Sequence, residues 1–311
     1  MSKRVTGLHS LFEQKQPLVL DGGLSNVLLS MGADLKTSFW CAELLVSDRD
    51  MIRQAHLHYL EAGADIITSC TYQASMQGFA NLGISETQSR QYMLDSIRLM
   101  EEARARYFET HPVRPVYLAA SLGPYGAFMA DGSEYTGVYD VSDSTLKDFH
   151  RARLDALDSA GQDFYAFETI PMLREAEIIA ELLTEAGSDC WVSFSCESGT
   201  ILRDGNKLSE AVQVLKDIPG VFALGVNCVD PAIVSTAIQV IKTSAPDKKV
   251  VVYPNAGQQY DAVSKSWSKG GKSVEFTDSC ERWIHEGASI VGGCCEIGCH
   301  EIRALAEKQN P

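Results

Sequence analysis

The chain has 311 residues, 45% of them hydrophobic, and a formal net charge of −14. That length suits one large α/β domain with a sizeable core. The acidic balance argues against nucleic acid, anionic membrane and polyphosphate partners, and is compatible with a cationic small substrate.

The start, Met1-Ser2-Lys3-Arg4, runs into polar residues and lacks the apolar core of a signal peptide. No stretch approaches ~18 consecutive apolar residues, so no membrane span is expected. Nine cysteines without a secretory signal fit a reducing, cytoplasmic setting. There they serve as core residues, metal ligands or reactive thiols.

One pattern recurs: a short apolar run, a loop, an amphipathic helix ending near glycine, and another apolar run. Leu18-Val19-Leu20 opens the series and ends in Asp21-Gly22-Gly23. A helix start follows at Ser47-Asp48-Arg49-Asp50, with Ile52, Ala55, Tyr59 and Leu60 on one face and Gly63 as its stop. Ala64-Asp65-Ile66-Ile67-Thr68 begins the second strand, and a long helical pattern spans 86 to about 107. Val116-Tyr117-Leu118-Ala119-Ala120 is the third strand, followed by a Gly-, Tyr- and Ser-rich loop from 121 to about 143.

A helix to Ala160 stops at Gly161, and the fourth strand, Phe164-Tyr165-Ala166-Phe167, ends at Glu168. Ala176, Ile179, Ala180 and Leu183 mark the next helix, with Gly187 as its stop. Strand five is Trp191-Val192-Ser193-Phe194-Ser195; a helix over 208–216 leads to strand six at 222–226. Asp230-Pro231 supplies a cap and a first-turn proline for the next helix. Strand seven covers 249–253, a polar loop 255 to about 273, strand eight Ile290-Val291, and a closing helix about 300–308. Eight β/α units with mostly apolar strands predict a single (β/α)8 TIM barrel, one domain over residues 1–311. A doubly wound open sheet is the lesser alternative.

In such a barrel chemistry lies at the C-terminal strand ends. There the sequence puts Asp21, Ser69, Tyr72, Ser121, Glu168, Ser195, Asn227, Cys228, Asn255, Cys294 and Cys295. Cys228, Cys294 and Cys295 form a candidate thiolate zinc site with one coordination position open. Gly292 and Gly293 are expected to permit the sharp turn through backbone angles other residues avoid. Cys299, four residues past Cys295, raises the alternative of a closed four-thiol structural site. Cys41, Cys70, Cys190, Cys196 and Cys280 read as bystanders, with Cys70 near the mouth. His56 and His58, two apart on one helix, diverge and read as structural or surface residues rather than ligands.

Asp21 and Glu168 are the two acids placed to hold a substrate ammonium, against a plainer reading as a cap or salt bridge. The backbone at Gly22-Gly23 is free to approach a carboxylate, and Ser69 and Asn227 complete the substrate contacts. Trp40, Tyr72, Tyr125 and Tyr253 are candidate aromatic faces for a cationic small molecule, against a plainer reading as packing residues.

At these residues the sequence resembles the homocysteine S-methyltransferase family over nearly its whole length. The resemblance is carried by Asp21-Gly22-Gly23, Thr68-Ser69-Cys70-Thr71-Tyr72-Gln73, Ser121-Leu122-Gly123-Pro124-Tyr125-Gly126 and Phe167-Glu168-Thr169. It continues through Gly225-Val226-Asn227-Cys228, Tyr253-Pro254-Asn255-Ala256-Gly257 and Gly292-Gly293-Cys294-Cys295. The 130–135 loop and the Tyr260-Asp261 to Trp267 stretch are similar to the bacterial branch, which uses S-methylmethionine and, less well, S-adenosylmethionine. The resemblance implies one Zn2+ per chain on Cys228, Cys294 and Cys295, and L-homocysteine seated by Asp21 and Glu168. It departs from the family at Cys299, where proline is usual. Alternatives on the same frame are a selenocysteine or betaine-linked thiol methyltransferase, or a non-catalytic zinc-binding barrel.

Overall fold

Alternation along the short apolar runs places one set of side chains inside a cylinder and the other under the helices. The computed structural model describes residues 12, 17–35, 39–112, 114–257, 260–261, 266–267 and 276–309. Its principal strands are β1 (Leu18–Val19), β2 (Ile66–Thr68), β3 (Tyr117–Leu122) and β4 (Phe164–Ile170). They continue as β5 (Cys190–Phe194), β6 (Val221–Asn227), β7 (Lys249–Tyr253) and β8 (Ile290–Val291).

The eight-stranded sheet runs β1-β8-β7-β6-β5-β4-β3-β2, each pair parallel. A parallel bridge between Leu20 and Ile66 joins β1 back to β2, with Asp21 N donating to Ile66 O at 3.0 Å. The ring is thereby closed, as a (β/α)8 barrel.

Leu18, Leu20, Ile66, Phe164, Trp191 and Val251 belong to the inner core. Their neighbours Val19, Ile67, Leu118, Phe167, Val192 and Val250 pack outward against helices in a second core. Burying each such side chain contributes about 1.5–3 kcal/mol before entropy is counted.

The surrounding helices are α1 (Arg49–Glu61), α2 (Glu86–Phe108), α3 (Asp143–Leu157) and α4 (Leu173–Ala186). The others are α5 (Leu208–Leu215), α6 (Val234–Ser244), α7 (Phe276–Glu286) and α8 (Cys299–Gln309). Asp48 caps α1 by accepting from Met51 N at 3.1 Å, and Gly187 ends α4 at φ 63°. On α1, His56 is fully buried and His58 exposed, so the two do not share a face. No described helix is long and apolar enough to cross a membrane.

Three differences from the sequence reading bear on the site. β3 and β4 run further than expected, so Ser121 and Glu168 lie within strands instead of beyond them. The segment read as one loop after β3 holds two short helices, Tyr125–Met129 and Ser133–Thr136. They are too short to show a helical period and are set off by left-handed residues, Ala130 and Gly132 between them and Gly137 after the second. The closing helix begins at Cys299, not His300. The polar loop after β7 lies largely outside the described residues; within it Tyr260–Asp261 pairs antiparallel with Ser266–Trp267.

Candidate metal centre and active site

Cys228 is the first residue past β6, and its backbone is left-handed, at φ 52°. Its N–H donates to Tyr253 O at 3.2 Å, which fixes the turn against β7. After β8, Gly292 N donates to Val252 O, Gly293 N to Asp21 O and Cys294 N to Pro254 O, at 2.9–3.1 Å. Neither glycine has a positive φ, which corrects the expectation of unusual backbone angles. They are required for space instead: a Cβ on Gly293 would lie 2.1 Å from Ile297 Cγ2, and one on Gly292 2.7 Å from Leu20 Cβ. The residue with left-handed backbone in this turn is Glu296, at φ 64°.

These turns bring the three Sγ atoms within 4.8 Å of one another. Cys228 and Cys295 are 3.8 Å apart, Cys294 and Cys295 4.0 Å. Sulfurs about 2.3 Å from a tetrahedral zinc stand about 3.8 Å apart, so the triangle fits such an ion. Cys299 is not part of this group; it lies in a separate cleft with Asn26, His58, Glu61 and Arg303. The four-residue spacing assumed a helix running through Cys295, and the left-handed Glu296 breaks it.

Hydrogen bonds from Cys294 and Cys295 hold the Cys228 thiol well below its ordinary pKa, with the Tyr135 hydroxyl assisting. Donating those bonds pushes Cys294 and Cys295 up. Burial raises Cys41 and Cys196 each to about 12; Cys41 and Cys70 nevertheless line the cavity, which corrects the reading of Cys41 as a bystander.

One cavity is lined by the three cysteines and by Asp21, Gly22, Gly23, Ser69, Glu168 and Asn227. Trp40, Tyr72 and Tyr253 also face it. Tyr125 does not: its N–H donates to Glu175 Oε1 at 2.8 Å, and its ring packs against Phe128, Tyr139 and Phe149. This corrects the donor-face reading of Tyr125; the plainer packing reading describes it.

Asp21 Oδ2 accepts from Thr68 N at 2.7 Å, tying the tips of β1 and β2. Burial raises its carboxyl well above the ordinary value, and the nearby Glu168 adds to this. Burial also lifts Glu168 to about 7, although the hydroxyls of Ser121 and Tyr253 donate to it. The Gly23 N–H is already given to Ile297 O at 3.0 Å, so it is not free for a carboxylate. A Cβ on Gly22 would lie 2.4 Å from the same oxygen, so this pair serves close backbone approach. The Ser69 hydroxyl accepts from Ser121 N at 2.9 Å and bonds Thr71 Oγ1 at 2.5 Å.

Asn227 is committed within the protein. Its Oδ1 accepts from Thr169 N and Ser193 Oγ, each at 2.7 Å, and its Nδ2 donates to Thr169 Oγ1 at 2.8 Å. Thr169 is β-branched yet sits at φ 63°, where such residues are rare, and β4 shifts register against β5 there. Asn227 thus holds the strained end of β4 that follows Glu168. Replacing Asn227 with Ala should cost about 1–3 kcal/mol, because the Thr169 N–H is left buried and unpaired. Denaturant unfolding measures it; a change under about 0.5 kcal/mol would contradict the assignment.

Two residues at the site lay in stretches that carried the family resemblance but were not themselves singled out. Tyr135 OH lies 3.3 Å from Cys228 Sγ, on the short helix inside the supposed loop. Thr169 was visible only as a neighbour of Glu168.

Fold and site together define a class: a closed parallel barrel with three thiols, spaced to hold a metal ion, at the C-terminal ends of its strands. The chain belongs to the homocysteine S-methyltransferase family, whose profile, described by that name, matches residues 18–309. It is 41% identical to homocysteine S-methyltransferase 2 of Zea mays, over 94% of this chain and 90% of that one. It is 38% identical to a selenocysteine Se-methyltransferase of Brassica oleracea var. italica, over 93% and 88%. Among solved structures, the metallated homocysteine methyltransferase MmuM of Escherichia coli superposes with a TM-score of 0.88. That pair is 36% identical, covering 97% of this chain and all of the other.

Proposed function

We propose that the chain transfers a methyl group from S-methylmethionine, or S-adenosylmethionine, to the thiol of L-homocysteine, giving methionine. One barrel domain spanning residues 1–311 would carry this activity. The observation that supports the reading most is the Sγ triangle of Cys228, Cys294 and Cys295, spaced for one ion at the edge of an acid-lined cavity.

The three thiolates would hold one zinc, which when bound supplies the positive charge that keeps an acceptor thiol ionised. Asp21 and Glu168 would take the acceptor's ammonium group; a cation between them offsets the burial that raises both carboxyls. Trp40, Tyr72 and Tyr253 would present aromatic faces to the sulfonium. Attack is in line. The acceptor sulfur's lone pair forms the new S–CH3 bond as the donor's S–CH3 bond breaks, and that electron pair stays on the departing sulfur. The leaving group is then a neutral thioether, so no side chain has to donate a proton to it. The rigid β-strand ends supply alignment, the remaining requirement. Nine unpaired cysteines suit the cytosol as the place where this would occur.

Selenocysteine is a second candidate acceptor, favoured by the 38% identity to the Brassica Se-methyltransferase. The test offers zinc-loaded protein homocysteine or selenocysteine with each sulfonium donor and follows the methylated product. Homocysteine with S-methylmethionine should give the highest kcat/KM. Absence of methionine from every donor would overturn the reading.

A further inference from the structure

The cavity that holds the thiol trio has no positive side chain: among the described residues, no Lys, Arg or His lines it. Three thiolates around one Zn2+ leave one excess negative charge, and an acceptor thiolate adds a second. Arg203 acts on Cys228 from outside the cavity, its Nε donating to Ser195 Oγ at 3.2 Å. Within the cavity, relief at the sulfurs falls to neutral hydrogen-bond donors. Among the described residues outside the trio, one is hydrogen-bonded to a cluster sulfur. It is Tyr135, whose hydroxyl lies 3.3 Å from Cys228 Sγ and which lines the same cavity.

The backbone fixes both partners. Cys228 sits in its left-handed turn at φ 52°, tied to Tyr253 O. Tyr135 N donates to Gly132 O at 2.9 Å, at the head of the short helix Ser133–Thr136. That helix is closely packed: a Cβ on Gly126 would lie 2.6 Å from Glu134 N, and one on Gly137 2.7 Å from Asp204 N. While Cys228 is a free thiol, either atom of the pair can donate. A coordinated Cys228 has no proton, so the hydroxyl must be the donor. A hydrogen bond to a charged acceptor is roughly twice as strong as a neutral one.

We propose that Tyr135 is a positioning residue of the metal centre, its hydroxyl donating a hydrogen bond to the metal-bound sulfur of Cys228. The inference deepens the metal-site reading of the same trio and rests on it. The bond draws electron density off Cys228 and so leaves more positive charge on the metal for the acceptor sulfur. Tyr135 keeps its proton throughout, so the effect needs no ionisation of the phenol. Its reach is confined to Cys228, which ties the short helix after β3 to the ligand at the tip of β6.

The test uses the full chain. Tyr135→Phe keeps the ring and removes only the hydroxyl. Its zinc affinity, measured by competition with a chelating dye, should fall about 10-fold or more. In cobalt-loaded Tyr135→Phe the thiolate-to-metal charge-transfer bands should move to longer wavelength, because a thiolate without its hydrogen bond gives up charge more readily. A residue that merely filled space would leave those bands in place. Homocysteine should bind the cobalt-loaded variant about threefold or more weakly. Tyr135→Leu, which removes the ring as well, should show the band positions of Tyr135→Phe. Unchanged metal affinity and an unchanged cobalt spectrum in Tyr135→Phe would overturn the proposal, as would a defect confined to Tyr135→Leu. Wild-type protein that takes up no metal would overturn both the proposal and the metal-site reading. The expected metal and spectral changes in a protein that methylates no thiol would overturn the methyl-transfer reading and leave the assignment of Tyr135 standing.

Discussion

Single replacement of Cys228, Cys294 or Cys295 with Ala should abolish metal binding and methyl transfer together, while the barrel stays folded. The three sulfurs lie within 4.8 Å of one another, and no other His, Cys, Asp or Glu among the described residues joins the group. Two thiols cannot replace three, so metal content should fall from one equivalent to under about a tenth. Transfer should fall about 1,000-fold or more with it. The fold persists because the thiols sit beyond the strand ends, and only Cys294 packs against the edge of the inner core. Metal analysis with circular dichroism checks this; full stoichiometry in all three variants would refute the ligand assignment.

Replacing Glu168 with Ala should weaken homocysteine binding about 100-fold or more and leave zinc content within about twofold. The reasoning is electrostatic. With the site empty, burial holds the Glu168 carboxyl at about 7, so below neutral pH it is largely protonated. An incoming ammonium needs the ionised form, so binding releases a proton. Homocysteine affinity should therefore rise as pH increases through about 7. Calorimetry at pH 6 in buffers of different ionisation enthalpy counts the protons released; ionisation of the acceptor thiol adds its own, and Glu168→Gln should lower the count by the Glu168 share while leaving the thiol's. For stability the sign is opposite. A carboxyl raised on folding favours the native state fully below its unfolded value of about 4.3, and that gain is lost as pH rises through the folded value. Unchanged homocysteine affinity in Glu168→Ala would remove its substrate role.

The barrel was legible because its strands are short, apolar and spaced by helices with clear stops. Ile66-Ile67, Trp191-Val192 and Val250-Val251-Val252 each show it, and each supplies both an inner and an outer core residue. The cysteine trio was legible because three thiols at strand tips are rare without a metal. Long-range packing was less visible. Gly292 and Gly293 stood out as glycines, but the reason for them, Leu20 and Ile297 pressed against their Cα atoms, is a contact between distant segments. Asn227 lines the cavity as expected, but nothing local reveals that Thr169, on another strand, also uses its amide. Tyr125 looked like a donor face because its motif lies near the mouth, and only the bond to Glu175 shows where its segment is anchored. Glu134 and Tyr135 sit on a four-residue helix, shorter than any periodicity can register.

The account depends on the acceptor's sulfur joining a centre made by three cysteine sulfurs. Cobalt-substituted protein reports this directly through its thiolate-to-metal charge-transfer bands. Adding homocysteine should intensify and shift those bands, saturating at the concentration range that saturates methyl transfer. A spectrum that does not change at those concentrations would contradict the account.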